Sequence, residues 1–391
     1  MTPENFVVVS NISDNPFAIE LARHLGQTLD VSDAIHLKDY ANTEFCPRFI
    51  SSETEMDRIG RSLEGKTVVI ASSTNARYTR NALAMRTMIV ARAAKDNGAA
   101  RVILVEPDLF YSAQDRGPTR NGELEKDRSE KDLKKFDGQP FTARLYADLL
   151  KLAGVDAVVT VHNHSAKVQA LFKETFGGQF YNLIPVDVYA DYIKRSDIVQ
   201  VGKDGANLVL CAPDAGATPF VELVQKTLDL PGVKRIVMRK ERTGERSVTM
   251  SLAESSEIGV DEIAGRDVIV LDDMVRTGTT IIQCSEALKA GHTGKVCFGV
   301  THFHTSIEAR ENLNSPFLDE IMTTNTISTI LNRDEQGRLR KKLTVLKLSK
   351  WIARHVMELL GTYDGRYDRA FYSIDMSSQN KRWPPMQPSG L

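Results

Sequence analysis

Cysteine is scarce and unpatterned: Cys46, Cys211, Cys284 and Cys297 are the only four, and none forms a C-x-x-C pair. That argues against a zinc site and a disulfide framework, and it fits a reducing, cytoplasmic setting. No segment approaches the roughly 20 apolar residues that a membrane-spanning helix needs. The start, MTPENFVVVS, has no basic n-region followed by an apolar stretch, so the chain reads as neither secreted nor membrane-bound. An excess of either charge is missing too. Fifty Lys and Arg stand against 51 Asp and Glu, so no global field draws nucleic acid or an anionic membrane, and phosphate binding has to come from local clusters. Solenoid-like repeats are absent as well.

What is present is the composition of a soluble globular protein, with 42% hydrophobic and 26% charged residues over 391 positions, enough to bury two cores. Short β-branched runs at 6–9, 67–70, 101–105 and 157–161 alternate with amphipathic stretches at 16–29 and 79–97. The alternation resumes with 207–211, 218–228, 235–239, 267–271, 279–290 and 296–302. Strand–helix alternation of this kind means βαβ units, so the expected fold class is α/β, with two successive domains, each a mostly parallel sheet flanked by helices. The join falls near 184–197. The expected organisation is an N-terminal domain over 1–187, a C-terminal domain over 188–346, a C-terminal helix within 347–378 packing back on the first domain, and a flexible tail over 379–391. Residues 107–139 are too polar for a core element and too long for a plain turn, so they read as a functional loop.

The most informative segment is DVIVLDDMVRTGTTIIQCSEALKAG, residues 267–291. A buried strand ends in two carboxylates, passes a short Thr/Gly turn and enters a helix near Thr279. Strand ends at the carboxyl edge of a parallel sheet face the ligand crevice, and the next helix offers free N–H groups at its positive end. Thr277, Gly278, Thr279 and Thr280 can therefore hold a phosphate monoester. Asp272 and Asp273 stand where the vicinal hydroxyls of an attached sugar would lie, and carboxylates accept two O–H donors. The bare Asp-Asp pair also suits an ordinary turn cap; the hydrophobic run before it and T-G-T-T after it favour a phosphorylated ribose.

This segment resembles the phosphoribosyl-diphosphate fingerprint of phosphoribosyltransferases and ribose-phosphate pyrophosphokinases, and further segments favour the pyrophosphokinases. Phe110-Tyr111-Ser112-Ala113-Gln114-Asp115-Arg116 resembles that family's nucleotide-binding Y-A-R-Q-D-R/K stretch. The run from Val161 to Phe172 resembles its D-L-H-x-x-Q-x-Q-G-F-F segment, Ala212-Pro213-Asp214-Ala215-Gly216-Ala217 its S-P-D-A-G-G, and Met238-Arg239-Lys240-Glu241-Arg242 the start of its catalytic loop. The order and spacing match over about residues 6–350.

The resemblance implies two phosphoribosyltransferase-like domains, Mg²⁺ as cofactor, ATP and ribose 5-phosphate as substrates, and a homo-oligomer built from dimers, up to a hexamer. It implies catalytic roles for Lys240 and Arg242, which open the flap-like stretch ERTGERSVTM. A point-charge Lys and a forked Arg suit a pentavalent phosphate. It further implies metal-associated roles for His164 and Asp214, ribose 5-phosphate contacts from Asp272, Asp273, Arg276, Thr277, Gly278, Thr279 and Thr280, and ATP contacts from Gln114, Asp115 and Arg116. Tyr40, Asn42 and Glu44 resemble a loop that covers adenine across a subunit boundary.

Three departures matter: Ala113 replaces an Arg, His162 an Asp, and Arg276 a position that is Asp in the best-known members. K-E-R…G-E-R and D-D-M-V-R-T-G look closer to the divergent, phosphate-independent class found in plants. The departures leave open a catalytically silent regulatory subunit of the same fold, against which the retained Asp272, Asp273, Lys240, Arg242, His164 and Asp214 argue. A phosphoribosyltransferase is disfavoured by two domains. His162 and His164, two apart on a strand, would share a face and chelate a transition metal, a weaker alternative.

Overall fold

The computed structural model describes residues 5–50, 54, 56–117, 119–120, 123–124, 128–242 and 248–375. The chain divides into two compact units, one of residues up to Ile184 plus Ser349–Tyr367, the other of Pro185–Leu348 plus the chain from Asp368.

In the first unit the elements are β1 (Phe6–Ser10), α1 (Pro16–Leu25), α2 (Val31–Ala34), β2 (Ile35–Asp39), β3 (Phe45–Phe49), β4 (Thr67–Ala71), α3 (Arg80–Asp96) and β5 (Arg101–Val105). They continue with β6 (Thr119–Arg120), β7 (Glu123–Leu124), α4 (Glu130–Lys135), α5 (Thr142–Ala153), β8 (Ala157–Val161), α6 (Ala166–Thr175) and β9 (Phe180–Leu183). Five strands in the order β1-β4-β5-β8-β9, all parallel, make its sheet. Every residue of β1, β4 and β8 is buried, which is why these strands read as continuous apolar runs rather than alternating ones.

The second unit comprises α7 (Val186–Arg195), β10 (Leu208–Ala212), α8 (Thr218–Leu228), β11 (Lys234–Arg242), β12 (Val248–Leu252), α9 (Val260–Ile263), β13 (Asp267–Val275), α10 (Thr279–Ala290), β14 (Val296–Phe303), α11 (Ile307–Leu313), β15 (Glu320–Thr324), α12 (Arg333–Gln336) and β16 (Leu343–Lys347). The chain then forms α13 (Ser349–Leu360), which packs on α1 in the first unit, and returns as β17 (Ser373–Ile374). The second sheet has eight strands in the order β12-β11-β10-β13-β14-β15-β16-β17. Only its outer pairs, β11/β12 and β16/β17, are antiparallel. Each unit is thus a mostly parallel sheet flanked by helices, as the alternation predicts.

Several boundaries differ from the sequence reading. The first helix stops at Leu25, not 29, because Gly26 takes the left-handed conformation (φ 85°) and turns its N–H back to the carbonyls of Ala22 and Arg23. Residues 107–139 are not structureless: they contain the small β6–β7 hairpin and α4, which is capped by the Ser129 hydroxyl accepting from Asp132 N–H at 3.2 Å. The helix expected within 347–378 covers Ser349–Leu360 and ends at Gly361 (φ 68°), with Thr362 N–H bonded to Met357 O and Gly361 N–H to Glu358 O. The strand of the Asp-Asp segment runs to Val275, four residues past the reading. The expected tail over 379–391 and residues 243–247 of the flap lie outside the described residues.

Candidate active site

In the second unit the site is built on the carboxyl half of β13. This strand pairs in parallel with β10 and β14. Its first five residues are buried, while Asp272, Asp273 and Met274 are half-buried. Two carboxylates at a sheet's crevice edge with little solvent around them repel each other. Burial first, and then the charge of Asp273, push the Asp272 carboxyl up to about 8, with Asp214 adding to the effect. The Asp273 N–H, donating to Asp272 Oδ1 at 2.9 Å, acts in the opposite direction.

Past Val275 the chain turns through Arg276, Thr277 and Gly278. Gly278 has φ 78°, and a Cβ there would lie 3.0 Å from Leu313 Cγ. Both the left-handed backbone and the close approach of α11 require glycine; the backbone term alone is about 1–2 kcal/mol. The turn is braced from the same side, with Ser306 Oγ donating to Arg276 O at 2.8 Å and Asn312 Nδ2 to Thr277 O at 2.7 Å. The first helical bond of α10 is Ile282 N–H to Gly278 O at 3.0 Å, so the N–H groups before it have no intrahelical acceptor. The hydroxyls of Thr277 and Thr279 lie 3.4 Å apart beside them. From β11, Lys240 reaches the same place, its Nζ donating to Thr280 Oγ1 at 2.9 Å. A cation, two hydroxyls and unpaired N–H groups at the start of a 12-residue helix make an anion site. Arg276 is exposed, and among the described residues its guanidinium makes no hydrogen bond or ion pair. The side chain of Arg242 lies outside the described residues.

Asp214 follows β10 by two residues and is exposed. Its Oδ1 accepts from the N–H groups of Gly216 (2.9 Å) and Ala217 (3.2 Å). It is therefore a turn cap, and its charge also acts on Asp272. Asp214 belongs to the second unit and His164 to the first.

In the first unit the nucleotide-like stretch follows β5. Tyr111 is left-handed (φ 59°), its hydroxyl donates to Asn81 Oδ1 at 2.8 Å, and its carbonyl accepts from Gln114 N–H at 2.9 Å. Asp115 Oδ2 accepts from Ser165 Oγ at 2.8 Å, while Arg116 Nε lies 3.7 Å from Asp115 Oδ1. Since Ser165 follows His164, the structure brings the 114–116 stretch close in the fold to His164. Gln114, Ala113 and His164 are exposed. The strand needed for a His162/His164 chelate is lacking: β8 ends at Val161, His162 is left-handed (φ 45°) and buried, and His164 faces solvent. Among the described residues no three His, Cys, Asp or Glu side chains form a ready-made metal group.

Tyr40, Asn42 and Glu44 form the tip of the β2–β3 hairpin, where Tyr40 N–H bonds Glu44 O at 2.8 Å and Asn42 Oδ1 accepts Glu44 N–H at 3.2 Å. Beside the tip, Lys38 Nζ sits over the Tyr40 ring, 4.7 Å from its centre. Arg86 of α3 anchors the hairpin: it pairs with Asp39, donates to Asn11 O at 2.8 Å, and stacks over Phe45 at 3.7 Å. Sequence reasoning missed Arg86, Ser306 and Asn312; none sits in a motif, and only the Ser306 helix cap leaves a local trace.

Tandem parallel sheets, the second bearing two carboxylates and a strand–turn–helix anion cradle, define a phosphoribosyltransferase-type α/β fold. Residues 195–325 match the family model described as phosphoribosyl transferase domain, and residues 6–154 that of the N-terminal domain of ribose phosphate pyrophosphokinase. The ribose-phosphate pyrophosphokinase of Corynebacterium efficiens is 30% identical over 343 residues, 87% of this chain and 89% of that protein. That of Haemophilus ducreyi is 29% identical over 312 residues, 80% of this chain and 86% of its own length. The crystal structure of phosphoribosylpyrophosphate synthetase from Mycobacterium smegmatis shares the fold, with TM-score 0.68 at 23% identity over 91% of this chain and 99% of that one. The chain belongs to the ribose-phosphate pyrophosphokinase family and is an enzyme.

Proposed function

We propose that the enzyme transfers the β,γ-diphosphoryl group of ATP to the C1 hydroxyl of ribose 5-phosphate, giving 5-phosphoribosyl 1-diphosphate and AMP. The observation that carries this reading is the cradle in which Asp272 and Asp273 precede the Gly278 turn and Lys240 bonds Thr280 in the first turn of α10. The N–H groups and hydroxyls of Thr277, Gly278, Thr279 and Thr280 take the 5-phosphate, and the two aspartates accept the ribose hydroxyls. The C1 hydroxyl oxygen then attacks the β-phosphorus and gives up its proton to water, the bond from that phosphorus to the α–β bridging oxygen breaks, and AMP leaves with the electron pair. Lys240 and Arg242 stabilise charge on the phosphoryl oxygens. Gln114, Asp115, Arg116 and the 40–44 hairpin tip serve the nucleotide.

The donor chemistry fits Mg²⁺, a hard cation that keeps waters and takes one or two carboxylates plus phosphate oxygens. Asp214 is exposed and its charge acts on Asp272, so a divalent cation at this end of the second unit would relieve the carboxylate cluster, with Asp214 as a residue that would hold it; in the first unit the exposed His164 is the corresponding candidate. When bound, the ion neutralises the triphosphate. With the balanced charge of the chain, no nucleic-acid partner is invoked, and the four free cysteines suit a reducing cytoplasm; the homo-oligomer rests on the family resemblance alone.

Incubating the pure protein with MgATP and ribose 5-phosphate is expected to yield equal amounts of AMP and phosphoribosyl diphosphate; a protein giving neither is a silent subunit, and the proposal fails. In the same assay, Arg276 is expected to contribute attraction to the 5-phosphate. The ribose 5-phosphate KM should rise more steeply with ionic strength, from low salt to about 0.5 M, than in Arg276→Ser, because salt screens an exposed charge. Identical slopes would remove Arg276 from the site.

A further inference from the structure

Glu106, the residue after β5, has a completely buried carboxylate. Its Oε1 accepts the Phe110 N–H at 2.9 Å, its Oε2 accepts Ser72 Oγ at 2.9 Å, and the Tyr146 hydroxyl lies 3.1 Å from both oxygens. Ser72 follows β4, and its hydroxyl accepts from Asn11, just past β1, at 3.2 Å. One carboxylate therefore ties the carboxyl ends of three neighbouring strands to α5 and to the segment leading to Gln114. That segment is also held by Val161 N–H and Thr160 Oγ1 donating to Pro107 O at 3.0 and 3.3 Å, by Arg80 pairing with Asp108, by Tyr111 to Asn81, by Ala143 N–H to Gln114 O at 3.3 Å and by Asp115 to Ser165, while the Phe110 N–H in its middle goes to Glu106.

No Lys, Arg or His pairs with Glu106 among the described residues. A buried carboxylate without a cation is costly, and burial pushes this one up to about 7, with Asp108 adding to it. Only an ionised carboxylate accepts from all these donors at once. The titratable and charged groups around it are Tyr146 on α5, Tyr111 and Asp108 on its own segment, and Arg80 of α3, which pairs with Asp108.

We propose that Glu106 is a positioning residue for nucleotide binding: by clasping the Phe110 N–H, Ser72 and Tyr146 it sets the course of the chain that presents Gln114, Asp115 and Arg116. This rests on the reading of those three residues as ATP contacts. When the carboxyl takes up a proton, one acceptor becomes a donor. The Ser72 and Tyr146 hydroxyls can rotate to suit, whereas the Phe110 N–H can only donate. The oxygen left to accept from Phe110 is then a neutral carbonyl, a weaker acceptor than an ionised carboxylate, so the neutral group holds the segment less firmly, and Glu106→Gln mimics it at every pH.

The test compares ATP and ribose 5-phosphate KM for the wild type and Glu106→Gln between pH 6 and 8. At pH 8 the variant's ATP KM is expected to be roughly 3- to 10-fold higher, the weight of about one hydrogen bond, with ribose 5-phosphate KM unchanged. At pH 6 the two proteins converge. Tyr146→Phe, which keeps the carboxylate, is expected to raise ATP KM in the same direction by less, and it carries the test if Glu106→Gln does not fold. Equal ATP KM at pH 8, a parallel rise in both substrates' KM, or a pH-independent ratio overturns the proposal. A wild type that does not turn over ATP overturns the function reading instead.

Discussion

Lys240→Ala is expected to lower kcat by roughly 10²-fold or more while leaving the ribose 5-phosphate KM within about twofold, because the ammonium meets charge that develops only in the transition state. Such a loss corresponds to about 2.7 kcal/mol of transition-state stabilisation. Lys240 Nζ donates to Thr280 Oγ1 at 2.9 Å, one residue into the helix whose start is proposed to take the 5-phosphate, and a neutral hydroxyl holds a cation only weakly. A phosphoryl oxygen carrying extra negative charge competes well against that hydroxyl. Lys240 is exposed, and an exposed side chain with one neutral hydrogen bond contributes little to folding, within about 0.5 kcal/mol. Thermal unfolding of Lys240→Ala should therefore overlay the wild type, so lost turnover will not be lost protein. Arg242→Ala is expected to behave alike in kinetics. A variant that binds ribose 5-phosphate poorly yet keeps kcat would move Lys240 from the reaction to the ground-state phosphate.

The parts of the molecule legible in the sequence are those whose cause is local. Strands β5 and β8 and helices α8 and α10 have the expected bounds, since each pairs a periodic apolar pattern with its own stop signals. Strand β13 runs four residues beyond its apolar run because β14 continues beside it, pairing Met274 with His302 and Val275 with Phe303; the neighbour overrides the polar Asp-Asp. The Gly278 turn was readable as a turn, but the reason for glycine is Leu313, 35 residues away in the chain. The strands of the β2–β3 hairpin carry no clean alternation, in keeping with their uneven burial, so only the tip at Tyr40, Asn42 and Glu44 stands out in the sequence, by its resemblance to a family loop. The hairpin holds its shape through Arg86, whose guanidinium faces Phe45 from another element. Glu106 follows the apolar run RVILV much as Asp272 follows DVIVL, so the signal was present, but a lone carboxylate at a strand end gains meaning only when Ser72 and Tyr146 are seen to converge on it. In the family comparison the departures at Ala113, His162 and Arg276 stand out, yet only the coordinates separate the buried, left-handed His162 from the exposed Arg276.

Asp272→Asn and Asp273→Asn are each expected to weaken ribose 5-phosphate binding by roughly 10- to 150-fold, the range for one lost hydrogen bond to a charged acceptor, and to affect ATP binding less. The Asp272 variant should also show an opposite effect on stability. Its carboxyl is pushed up to about 8 by burial and then by Asp273, so the native state holds a proton that the unfolded chain releases near pH 4. Between those values the native protein binds more protons than the unfolded one, and stability falls as pH rises. Above pH 8 the favourable contribution is gone. Asparagine cannot ionise, so Asp272→Asn escapes this decline, and in metal-free protein its Tm relative to the wild type should climb from pH 5 to pH 9. Sugar hydroxyls that need the charged carboxylate must expel the proton at neutral pH, so wild-type binding releases protons and tightens toward pH 8, while the Asn variant does neither. Calorimetry in two buffers of different ionisation enthalpy measures that release directly. ATP affinity falling in place of ribose 5-phosphate affinity would make the pair a metal site, and a Tm difference that stays flat with pH would show that Asp272 is charged in the native protein throughout that range.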